Sequence, residues 1–424
     1  MREMKDSGVE WIGEIPSHWE ILANKHLMKK VKNIRTKYTG EDVLSLTMRG
    51  VIVRDLDNPS GKMPATFDGY QFVEAGNLLM CLFDIDVTPR CIGLIKNDGV
   101  CSPAYSQFHL FENADAGYYY YYYLHLDNTK ELLHLAKNLR HSLTEEQLGF
   151  IPTVHPSIHE QRKIVAFLDK KLSQVDTLIC NVQAQIEKLK AYKQSVITEV
   201  VIKGLDPTMP MKDSELLWFG NIPQLWELAK VKMFASTCSG GTPPSGDMSY
   251  YDGDVNWVCS YDLHEREITE TGKTLSEKGA ALIAGELQSP NSILIAMYGG
   301  SGTIGNSGLL KCYARTNQAI CSVHFDEAVL DPRFAFYQTM FIRKYWMYYA
   351  VGTRKDPNIS QDVVRNMKYV IPPMEEQLEI VKLLDEKCSQ IDRLITIKQE
   401  KIEKLEQYKR SLIYEYVTGK KAVV

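Results

Sequence analysis

Glycine-rich stretches are the part of this sequence that first suggests cofactor chemistry. The segment 300–305 (GSGTIG) matches the G-x-G-x-x-G pattern, in which the third glycine opens a helix that binds the pyrophosphate of a dinucleotide. Asn306, Ser307 and Gly308 follow here, and this composition disfavours such a helix. The segment therefore predicts a glycine-rich turn, whose backbone could approach a phosphate, rather than a dinucleotide site.

Other catalytic and metal-binding patterns are incomplete. The segment 271–274 (TGKT) resembles the end of a P-loop, but Glu267 stands where that motif needs a glycine. The sequence has no Asn/Asp-Pro-Pro-Tyr/Phe motif to hold a target amino group for methyl transfer, and no G-x-S-x-G elbow. His155 and His159 are four residues apart, but the intervening Pro156 disfavours a shared helical face for metal ligands. The sequence thus predicts neither a catalytic residue nor a metal site.

Length, cysteine content and the lack of long apolar stretches limit which class of protein this chain can belong to. A chain of 424 residues is expected to form two or more domains. Nine cysteines without a C-x-x-C pair, and without an N-terminal apolar signal segment, favour reduced thiols and a cytoplasmic location. No stretch has the roughly 18 uninterrupted apolar residues that a membrane span requires, so we expect no membrane association.

The charge balance limits how the chain could bind nucleic acid. The formal net charge is −4, and the most basic segment, 158–210, has only 8 basic against 6 acidic residues. Because neutralisation of phosphates supplies most of the non-specific affinity for DNA, binding would have to rest on localised patches. This balance argues against a histone-like role and predicts weak binding by the chain alone.

The sequence contains an internal repeat in two parts. Residues 4–20 recur at 211–227 with an offset of 207, and residues 160–195 recur at 376–411 with an offset of 216. The stretches between these repeats do not align convincingly with each other. A period this long exceeds that of solenoid repeats and indicates duplication of a whole domain with its connector. We therefore expect a pseudo-two-fold protein with two unlike heads.

The downstream repeats predict two long helices. Ser157 and Glu160 form a capping-box pattern, and Gly204 with Pro207, and Gly419, are typical helix stops. Each helix should have about 40–45 residues and a length of roughly 60–68 Å. Lysines interrupt the seam at positions 193, 398 and 409. The apolar seam residues are Leu168, Leu172, Val175, Ile179, Val182, Ile186, Leu189, Val196 and Val200 in the first helix, and Leu384, Cys388, Ile391, Ile395, Ile402, Leu405, Leu412 and Tyr416 in the second.

Each seam requires one partner helix. An intramolecular antiparallel pair that holds the heads apart is the simplest arrangement, and parallel association with another chain is the alternative.

The regions between the repeats have the pattern of mixed, β-rich heads. Short apolar runs separated by Gly- and Pro-rich turns predict strands, and helices are expected at 116–140 and 332–350. The run Tyr118–Tyr123 at the start of the first of these helices is expected to pack in the core rather than to stack on bases. The predicted strands are 43–46, 77–83, 91–95, 255–258, 292–298 and 320–325.

The ordered set of these features resembles the specificity (S) subunit of type I restriction–modification systems. The segments 11–19 (WIGEIPSHW) and 218–226 (WFGNIPQLW) are similar to the motifs that open the target recognition domains of that family. Glu160-Gln161 and Glu376-Gln377 resemble its exits into conserved helices. Head segments that are also similar to the family are 239–243 (SGGTP), 253–258 (GDVNWV), 352–354 (GTR) and 358–361 (NISQ), with 139–143 (LRHSL) in the place of the last motif in the first head.

The resemblance implies a fold and a division into domains. The expected class is mixed α/β (α+β), with two β-rich target recognition domains joined by two long antiparallel coiled-coil helices. The expected domains are target recognition domain 1 at 1–157, the central conserved helix and spacer at 158–210, target recognition domain 2 at 211–373, and the distal conserved helix at 374–424.

The resemblance also implies a function and a set of partners. The chain would be a non-catalytic subunit that reads an asymmetric, bipartite site in double-stranded DNA. Two methyltransferase (M) subunits would carry S-adenosylmethionine and methylate adenine N6, and restriction (R) subunits would use ATP and Mg. No cofactor is expected in this chain itself.

Candidate DNA contacts follow from the chemistry of base edges, which pair with Arg or Lys at guanine and with Asn or Gln at adenine. Arg140 and the pair Arg354-Lys355 are the leading candidates, because they occupy equivalent polar turns where the family contacts DNA. A basic patch of Lys25, Lys29, Lys30, Lys32, Arg35 and Lys37 suits phosphate positioning. The full set of candidate base contacts is Arg49, Arg54, Lys62, Tyr105, Gln107 and Arg140 in the first head, and Lys311, Arg315, Asn317, Gln318, Arg354 and Lys355 in the second.

Two rival functions remain open from the residues alone. One is a self-contained DNA-modifying enzyme, such as a nuclease or methyltransferase with an unrecognised site. The other is a coiled-coil scaffold with no role in nucleic-acid binding. Turnover by the chain alone would favour the first, and DNA affinity that does not depend on the candidate arginines would favour the second.

Overall fold

The computed structural model describes residues 2–58, 61, 63–136, 141–299, 302–352 and 357–423. The chain forms two compact units. The first unit comprises residues 1–183 and 398–424, and the second comprises residues 184–397. Each unit therefore contains one head together with parts of both long helices.

The first head is built on a four-stranded antiparallel sheet with the order β4-β11-β8-β9. Its helices are α1 (Ala116–Thr129) and α2 (Glu145–Phe150), and short 3-10 turns lie at Asn24–His26 and Glu131–Leu135. Its strands are β1 (Met4–Asp6), β2 (Glu14–Pro16), β3 (Glu20–Ala23), β4 (Met28–Val31), β5 (Leu44–Thr47), β6 (Gly50–Val53), β7 (Gln71–Val73), β8 (Leu78–Met80), β9 (Ile92–Leu94), β10 (Gly99–Cys101), β11 (Ser106–Leu110) and β12 (Pro152–His155).

The tyrosine run lies in the core of the first unit, as predicted. Helix α1 begins where the Asp115 carboxylate accepts a hydrogen bond from the Tyr118 backbone N–H. Tyr118, Tyr119, Tyr122 and Tyr123 are fully buried in the hydrophobic cluster of this unit. The rings therefore stabilise the head and are not available to stack on bases in this conformation.

The first connector helix is α3 (Ile158–Lys203), with 46 residues. The Ser157 hydroxyl accepts a hydrogen bond from the Glu160 backbone N–H at 3.3 Å, as the capping pattern predicts. At the other end Gly204 has a left-handed backbone with φ of +71°. A Cβ there would lie 2.6 Å from Glu376 Oε1, so the stop requires glycine for close packing as well as for conformation.

The second head has a five-stranded sheet with the order β16-β23-β20-β21-β18. Its helices are α4 (Glu277–Leu282), α5 (Pro332–Ile342) and α6 (Gln361–Asn366), and 3-10 turns lie at Val231–Met233, Met248–Tyr250, Ser260–Asp262 and Arg343–Tyr348. Its strands are β13 (Met211–Asp213), β14 (Asn221–Pro223), β15 (Glu227–Lys230), β16 (Ala235–Ser239), β17 (Tyr251–Val258), β18 (Arg266–Ile268), β19 (Thr274–Leu275), β20 (Ile293–Ala296), β21 (Ser307–Leu310), β22 (Arg315–Thr316), β23 (Ile320–Phe325), β24 (Val351–Gly352), β25 (Pro357–Asn358) and β26 (Lys368–Ile371).

The second connector helix is α7 (Met374–Val417), with 44 residues. Within the first unit, Phe167 of α3 packs on Tyr416 of α7, with ring centroids 4.4 Å apart, and Asp176 meets Lys409. Residue numbers rise along α3 as they fall along α7, so the two segments run antiparallel. The predicted mixed fold with two long antiparallel helices is confirmed.

The lysines that interrupt the predicted seam form ion pairs across it. In the second unit, Lys193 Nζ lies 2.6 Å from Asp392 Oδ2. In the first unit, Lys409 Nζ lies 2.5 Å from Asp176 Oδ1. Both the lysines and the aspartates are related by the offset of 216, so the same ion pair occurs once in each unit. Such pairs favour one register of the two helices over a shifted one.

We expect a charge swap at Lys193 and Asp392 to show this preference. The Lys193→Asp variant places two carboxylates together and should destabilise the second unit by about 1 kcal/mol, a modest amount because Asp392 is 55% exposed. The Lys193→Asp/Asp392→Lys variant should recover most of this loss in urea unfolding. Lys190, whose ion pair with Glu187 lies along one helix, provides the control as Lys190→Asp. A double variant no more stable than the single one would contradict a register role.

Two details of the predicted helices are wrong. Near the end of α3 the fully buried residues are Ile197 and Val201, whereas Val196 and Val200 are only partly buried. The reason is that this part of α3 packs on the core of the second head as well as on α7. The predicted helices 116–140 and 332–350 are also shorter: α1 ends at Thr129, where Lys130 adopts φ of +56°, and α5 passes into a 3-10 turn after Ile342.

The main sheets of the two heads have four corresponding strands, β4-β11-β8-β9 in the first and β16-β23-β20-β21 in the second, and the second sheet adds β18. The unlike heads expected from the sequence therefore have a common sheet framework. In the first sheet, Phe108 of the central strand lies opposite Lys30 on one neighbouring strand and opposite Leu78 on the other. In the second sheet, Val323 lies opposite Thr237 and Ile293 in the same way. These positions correspond with offsets of 207 for the first strand and 215 for the others. The strands therefore pair in the same register in both sheets. The side chains at corresponding positions differ, and for this reason the two sequences do not align.

The difference between the heads is concentrated in one region. The offset grows by 215 − 207 = 8 residues between β4 and β8 in the first head, which corresponds to β16 and β20 in the second. Here the first head has the hairpin β5–β6 and strand β7, and the second has strands β17, β18 and β19 and helix α4. A common scaffold thus carries two different inserts.

Candidate nucleic-acid interface

The repeated glutamine at the start of each connector helix joins that helix to its head. Gln161 Oε1 accepts a hydrogen bond from the Asp115 N–H at 2.7 Å, and its amide nitrogen donates to the carbonyls of Asn113 and Pro156. Gln377 makes the same three bonds, to Asp331, Val329 and Pro372. Both side chains are completely buried. The Glu-Gln repeat found in the sequence is therefore structural.

The neighbouring glutamate binds the tryptophan of each opening motif. Trp226 Nε1 donates to Glu376 Oε2 at 2.9 Å in the second unit. Trp19 Nε1 donates to Glu160 Oε1 at 3.5 Å in the first unit. Both indoles are fully buried. The opening motif and the helix start thus form one repeated junction in each unit.

The structure reveals a repeated tyrosine, Tyr121 and Tyr337, outside the repeat found in the sequence; it binds the repeated aspartate. Tyr121 donates to Asp169 and Tyr337 donates to Asp385, each at 2.5 Å and each related by the offset of 216. Burial, followed by the hydrogen bond to the carboxylate, raises the pKa of both phenols well above the usual range, so both remain protonated donors. Such isolated matches in dissimilar surroundings have too little sequence signal to be found without the fold.

The leading candidate contacts, Arg140, Arg354 and Lys355, lie outside the described residues. The described chain resumes at equivalent places after both segments. The Leu143 N–H donates to the Leu82 carbonyl at 2.8 Å, and the Ile359 N–H donates to the Met297 carbonyl at 2.9 Å. Leu82 lies two residues after the end of β8, and Met297 directly follows β20. The residues that follow the two basic segments are therefore hydrogen-bonded to corresponding parts of the two sheets.

Short helices follow these anchors. The Thr144 hydroxyl caps α2 by accepting the Gln147 N–H, and the Ser360 hydroxyl caps α6 by accepting the Val363 N–H. Capping fixes the direction in which each helix leaves the anchored segment. The two short helices therefore begin in the same way in both heads.

The other candidates in the first head fall into different environments. Arg49 is exposed in the tight turn between β5 and β6, whereas Arg54 is half-buried. Lys62 lies outside the described residues. Tyr105 is half-buried, its ring lies nearly parallel to that of Phe83 with centroids 6.4 Å apart, and burial raises its pKa. Arg49 is thus the most accessible described candidate in this head.

Gln107 is a correction to the predicted set. It is completely buried, and its Oε1 accepts hydrogen bonds from the Glu74 N–H at 2.8 Å and from Asn77 Nδ2 at 3.0 Å. Its amide nitrogen donates to the Phe72 carbonyl. A glutamine with its polar atoms satisfied inside the head cannot reach a base edge in this conformation. Its role is to hold the sheet to the adjoining loop.

The predicted phosphate patch is exposed, but its residues do not act alike. Lys29 and Lys30 are consecutive on β4 and so point to opposite faces of the strand. Lys25 lies over the Phe150 ring, 4.4 Å from its centroid, and Arg35 lies over the Phe72 ring at 4.6 Å. Lys30 pairs with Glu145. The patch is therefore not one continuous basic surface, and Lys32 and Lys37 are exposed members without a described ion pair.

In the second head, internal bonds engage most of the described candidates. Arg315 donates to the Gly285 carbonyl, and Lys311 Nζ donates to Asn291 Oδ1 at 3.2 Å. Asn317 Oδ1 accepts the Ala319 N–H at 3.0 Å. Gln318 is exposed and accepts from the Thr242 hydroxyl. Gln318 is therefore the best placed of the four to exchange its contact for a base edge.

Residues 302–305 of the glycine-rich segment form a turn, as predicted, whereas residues 300 and 301 lie outside the described part of the chain. Strand β21 (Ser307–Leu310) follows the turn, so no helix begins at the third glycine. Gly305 has φ of +77°, and a Cβ there would lie 2.2 Å from Trp346 Cδ1. Close packing against this indole explains why the position is glycine.

Among the residues that the structure describes, no cluster of three or more His, Cys, Asp or Glu side chains has the geometry to hold a metal ion. None of the helices that the structure describes is long and apolar enough to cross a membrane.

Comparisons with known proteins found a matching domain model and similar proteins. Residues 223–407 match the family model described as the type I restriction modification DNA specificity domain. A Methanocaldococcus jannaschii protein, provisionally named the type I restriction enzyme MjaX specificity subunit, is 24% identical over 432 residues, covering 96% of this chain and 95% of that protein. The type I restriction enzyme MjaVIII specificity subunit of the same organism is 27% identical over 278 residues, covering 62% of this chain and 61% of that subunit.

A solved structure shares the fold. Its description concerns complex assembly and conformational transition of the type I R-M system. The TM-score is 0.69 at 14% identity, over 95% of this chain and 98% of the solved one. The sequence relatives and the domain match confirm the predicted non-catalytic specificity subunit. The chain is thus similar to the DNA specificity (S) subunits of type I restriction–modification systems, as its sequence predicts.

Proposed function

We propose that this chain reads an asymmetric, bipartite site in double-stranded DNA, with one half-site bound by each head. It directs two adenine-N6 methyltransferase subunits to that site, and restriction subunits join the same complex. S-adenosylmethionine binds in the methyltransferases, and ATP and Mg bind in the restriction subunits. The complex acts in the cytoplasm. The functional domains are 1–157, 158–210, 211–373 and 374–424.

One observation carries this proposal. Leu143 and Ile359, which follow the basic segments 137–140 and 353–356 in the sequence, donate backbone hydrogen bonds at equivalent places in the two heads. The elements between β4 and β8 in the first head differ from those between β16 and β20 in the second. This combination suits two half-sites of different sequence.

The remaining candidates supplement these segments in the proposal. Arg49, Arg54, Lys62 and Tyr105 belong to the first reading surface, and Lys311, Arg315, Asn317 and Gln318 to the second. The exposed basic residues near β4 position the phosphates. The long helices set the distance between the half-sites.

A methylation map tests the proposal directly. The chain is co-expressed with its adenine methyltransferase partner in a host without adenine methylation, and N6-methyladenine is mapped by long-read sequencing. We expect one motif with two unequal specified parts and a spacer of constant length, and no methylation when either protein is omitted. Methylation by the chain alone would support an enzyme, and an unchanged pattern in its absence would support a scaffold; either result would refute the proposal.

A further inference from the structure

The exposed residue Thr242 of the second head lies in a loop whose backbone is fixed on both sides. The carbonyl of the preceding residue, Gly241, accepts a hydrogen bond from Nε1 of the buried Trp257 indole at 3.3 Å. The carbonyl of the next residue, Pro243, accepts a hydrogen bond from the Tyr251 hydroxyl at 2.8 Å. Both donors lie on β17, in the region where the two heads differ.

Glycine allows this loop to lie directly against β22. The Gly241 N–H donates to the Thr316 carbonyl at 3.0 Å, and a Cβ on Gly240 would lie 1.8 Å from the same oxygen. No side chain fits at that distance, so close packing requires glycine at position 240. Strand β22 pairs with β17 in turn, and the three segments therefore hold one another in place.

The backbone on either side of Gln318 is also fixed. The Asn317 N–H donates to the Val258 carbonyl at 3.0 Å, and the Ala319 carbonyl accepts a hydrogen bond from the Met297 N–H at 2.7 Å. The side chain of Gln318 is nevertheless exposed. A polar side chain on a rigid and accessible backbone has the properties of a recognition residue.

The side chains of Thr242 and Gln318 meet between these two fixed places. The Thr242 hydroxyl donates a hydrogen bond to Gln318 Oε1. This oxygen has a second lone pair, and among the described residues the Gln318 amide nitrogen has no hydrogen-bond partner. Because the hydroxyl holds the oxygen, the amide presents an acceptor and a donor side by side in one order.

We infer that Gln318 reads an adenine of the second half-site and that Thr242 positions its amide. This inference rests on the proposed function. In the major groove adenine offers the N6 amino group as donor and N7 as acceptor, so Oε1 accepts from N6 while Nε2 donates to N7. Gln318 does not have to give up its contact with Thr242, and an amide that is oriented beforehand loses less conformational freedom on binding.

The first head has no counterpart of this pair. By the offsets of 207 and 215, Arg35 stands at the position of Thr242 and Pro103 at the position of Gln318. Neither side chain presents an amide. The inferred reader therefore acts on the second half-site alone.

Removal of the Gln318 side chain tests the base contact. The complex of the full chain with its methyltransferase is titrated with the mapped site, and with sites that carry each of the other bases at every specified position of the second half. We expect Gln318→Ala to weaken binding to the mapped site roughly tenfold to 100-fold, with the preference for adenine lost at one position.

A change of chemistry at the same residue sharpens the test. Gln318→Glu offers only acceptors, so the preference at that position should shift toward cytosine, whose N4 amino group is a donor. Gln224→Glu, at an exposed glutamine in the opening motif of the same head, adds the same charge. This control should keep the base preference of the wild type.

Substitutions at Thr242 test the positioning role. Thr242→Val has nearly the same shape but no hydroxyl, so it should weaken the preference for adenine at the same position roughly threefold to tenfold. Thr242→Ser keeps a hydroxyl and should match the wild type. The thermal unfolding temperature should stay the same in both variants, because Thr242 is exposed.

Other results would overturn the inference. A second half-site with no specified adenine on either strand would do so, as would a Gln318→Ala variant that weakens all sequences alike or none. If Thr242→Val and Thr242→Ser behave alike, the hydroxyl does not position the amide. A wild-type complex that recognises no bipartite site would refute the proposed function as well, whereas unchanged base preference in the Gln318 variants would refute this inference alone.

Discussion

The Arg354→Ala/Lys355→Ala variant is expected to reduce the affinity of the methyltransferase complex for its site by roughly 10²-fold or more. A lost Arg or Lys contact to a guanine edge costs about 1–3 kcal/mol, and two such contacts are removed. The loss should be specific to the second half-site. Fluorescence anisotropy with the mapped site, and with sites altered in each half, measures both the affinity and the remaining discrimination.

Two controls make this result interpretable. Arg140→Ala should reduce discrimination at the first half-site only, and Lys401→Ala, on an exposed face of α7, should leave binding unchanged. Contacts to base edges change affinity without greatly changing its salt dependence, whereas contacts to phosphate reduce the salt slope by about one each. Uniform weakening of all sites with a smaller slope would reassign Arg354 and Lys355 to the backbone.

The Gln377→Leu variant is expected to destabilise the second unit by about 3–5 kcal/mol. Leucine has nearly the same size, so the loss comes from polar groups and not from a cavity. The Asp331 N–H and the Val329 and Pro372 carbonyls lose their partner at a fully buried side chain. Each buried polar group left without a hydrogen bond costs about 1–3 kcal/mol. Thermal and urea unfolding measure the effect.

The matched substitution in the first unit is Gln161→Leu, which should have the same cost because it removes the same three bonds. Gln399→Leu, on an exposed position of α7, should change stability by less than about 0.5 kcal/mol. If Gln377→Leu were as mild as Gln399→Leu, the junction between head and helix would not depend on the repeated glutamine. Equal losses at both repeats would support a duplicated junction.

The long helices were predictable because their signals are local. The serine cap, the seam spacing and the glycine stops act within a few residues, and α3 and α7 begin and end where these signals place them. The seam was less predictable near Val196 and Val200, since the buried face there is set by the second head as well as by α7. The spacing of apolar residues along one helix does not show that the helix also contacts the second head.

The candidate site was only partly predictable. Sequence reasoning predicted that Arg140 and Arg354-Lys355 occupy equivalent places; this stays a prediction, because these residues lie outside the described part of the chain. The residues that follow them, Leu143 and Ile359, make matching backbone hydrogen bonds. Sequence reasoning wrongly offered Gln107 as a base contact, because a buried glutamine and an exposed one have the same side-chain chemistry. Lys30 had the same ambiguity, since a lysine in a basic run gives no sign of the distant Glu145 that pairs with it.

Duplication, the connector helices, the lack of recognisable catalytic motifs and the resemblance to specificity subunits could all be read from the order of residues alone. Tertiary structure was needed to show that each head has its own sheet with the same strand register. It was also needed to show that Lys193 pairs with Asp392 and Lys409 with Asp176. The physical reason is the separation of the interacting residues along the sequence. Helix caps, helix stops and periodic seams depend on residues that are close in sequence, whereas sheet register and ion pairs join distant residues that only the folded chain brings together.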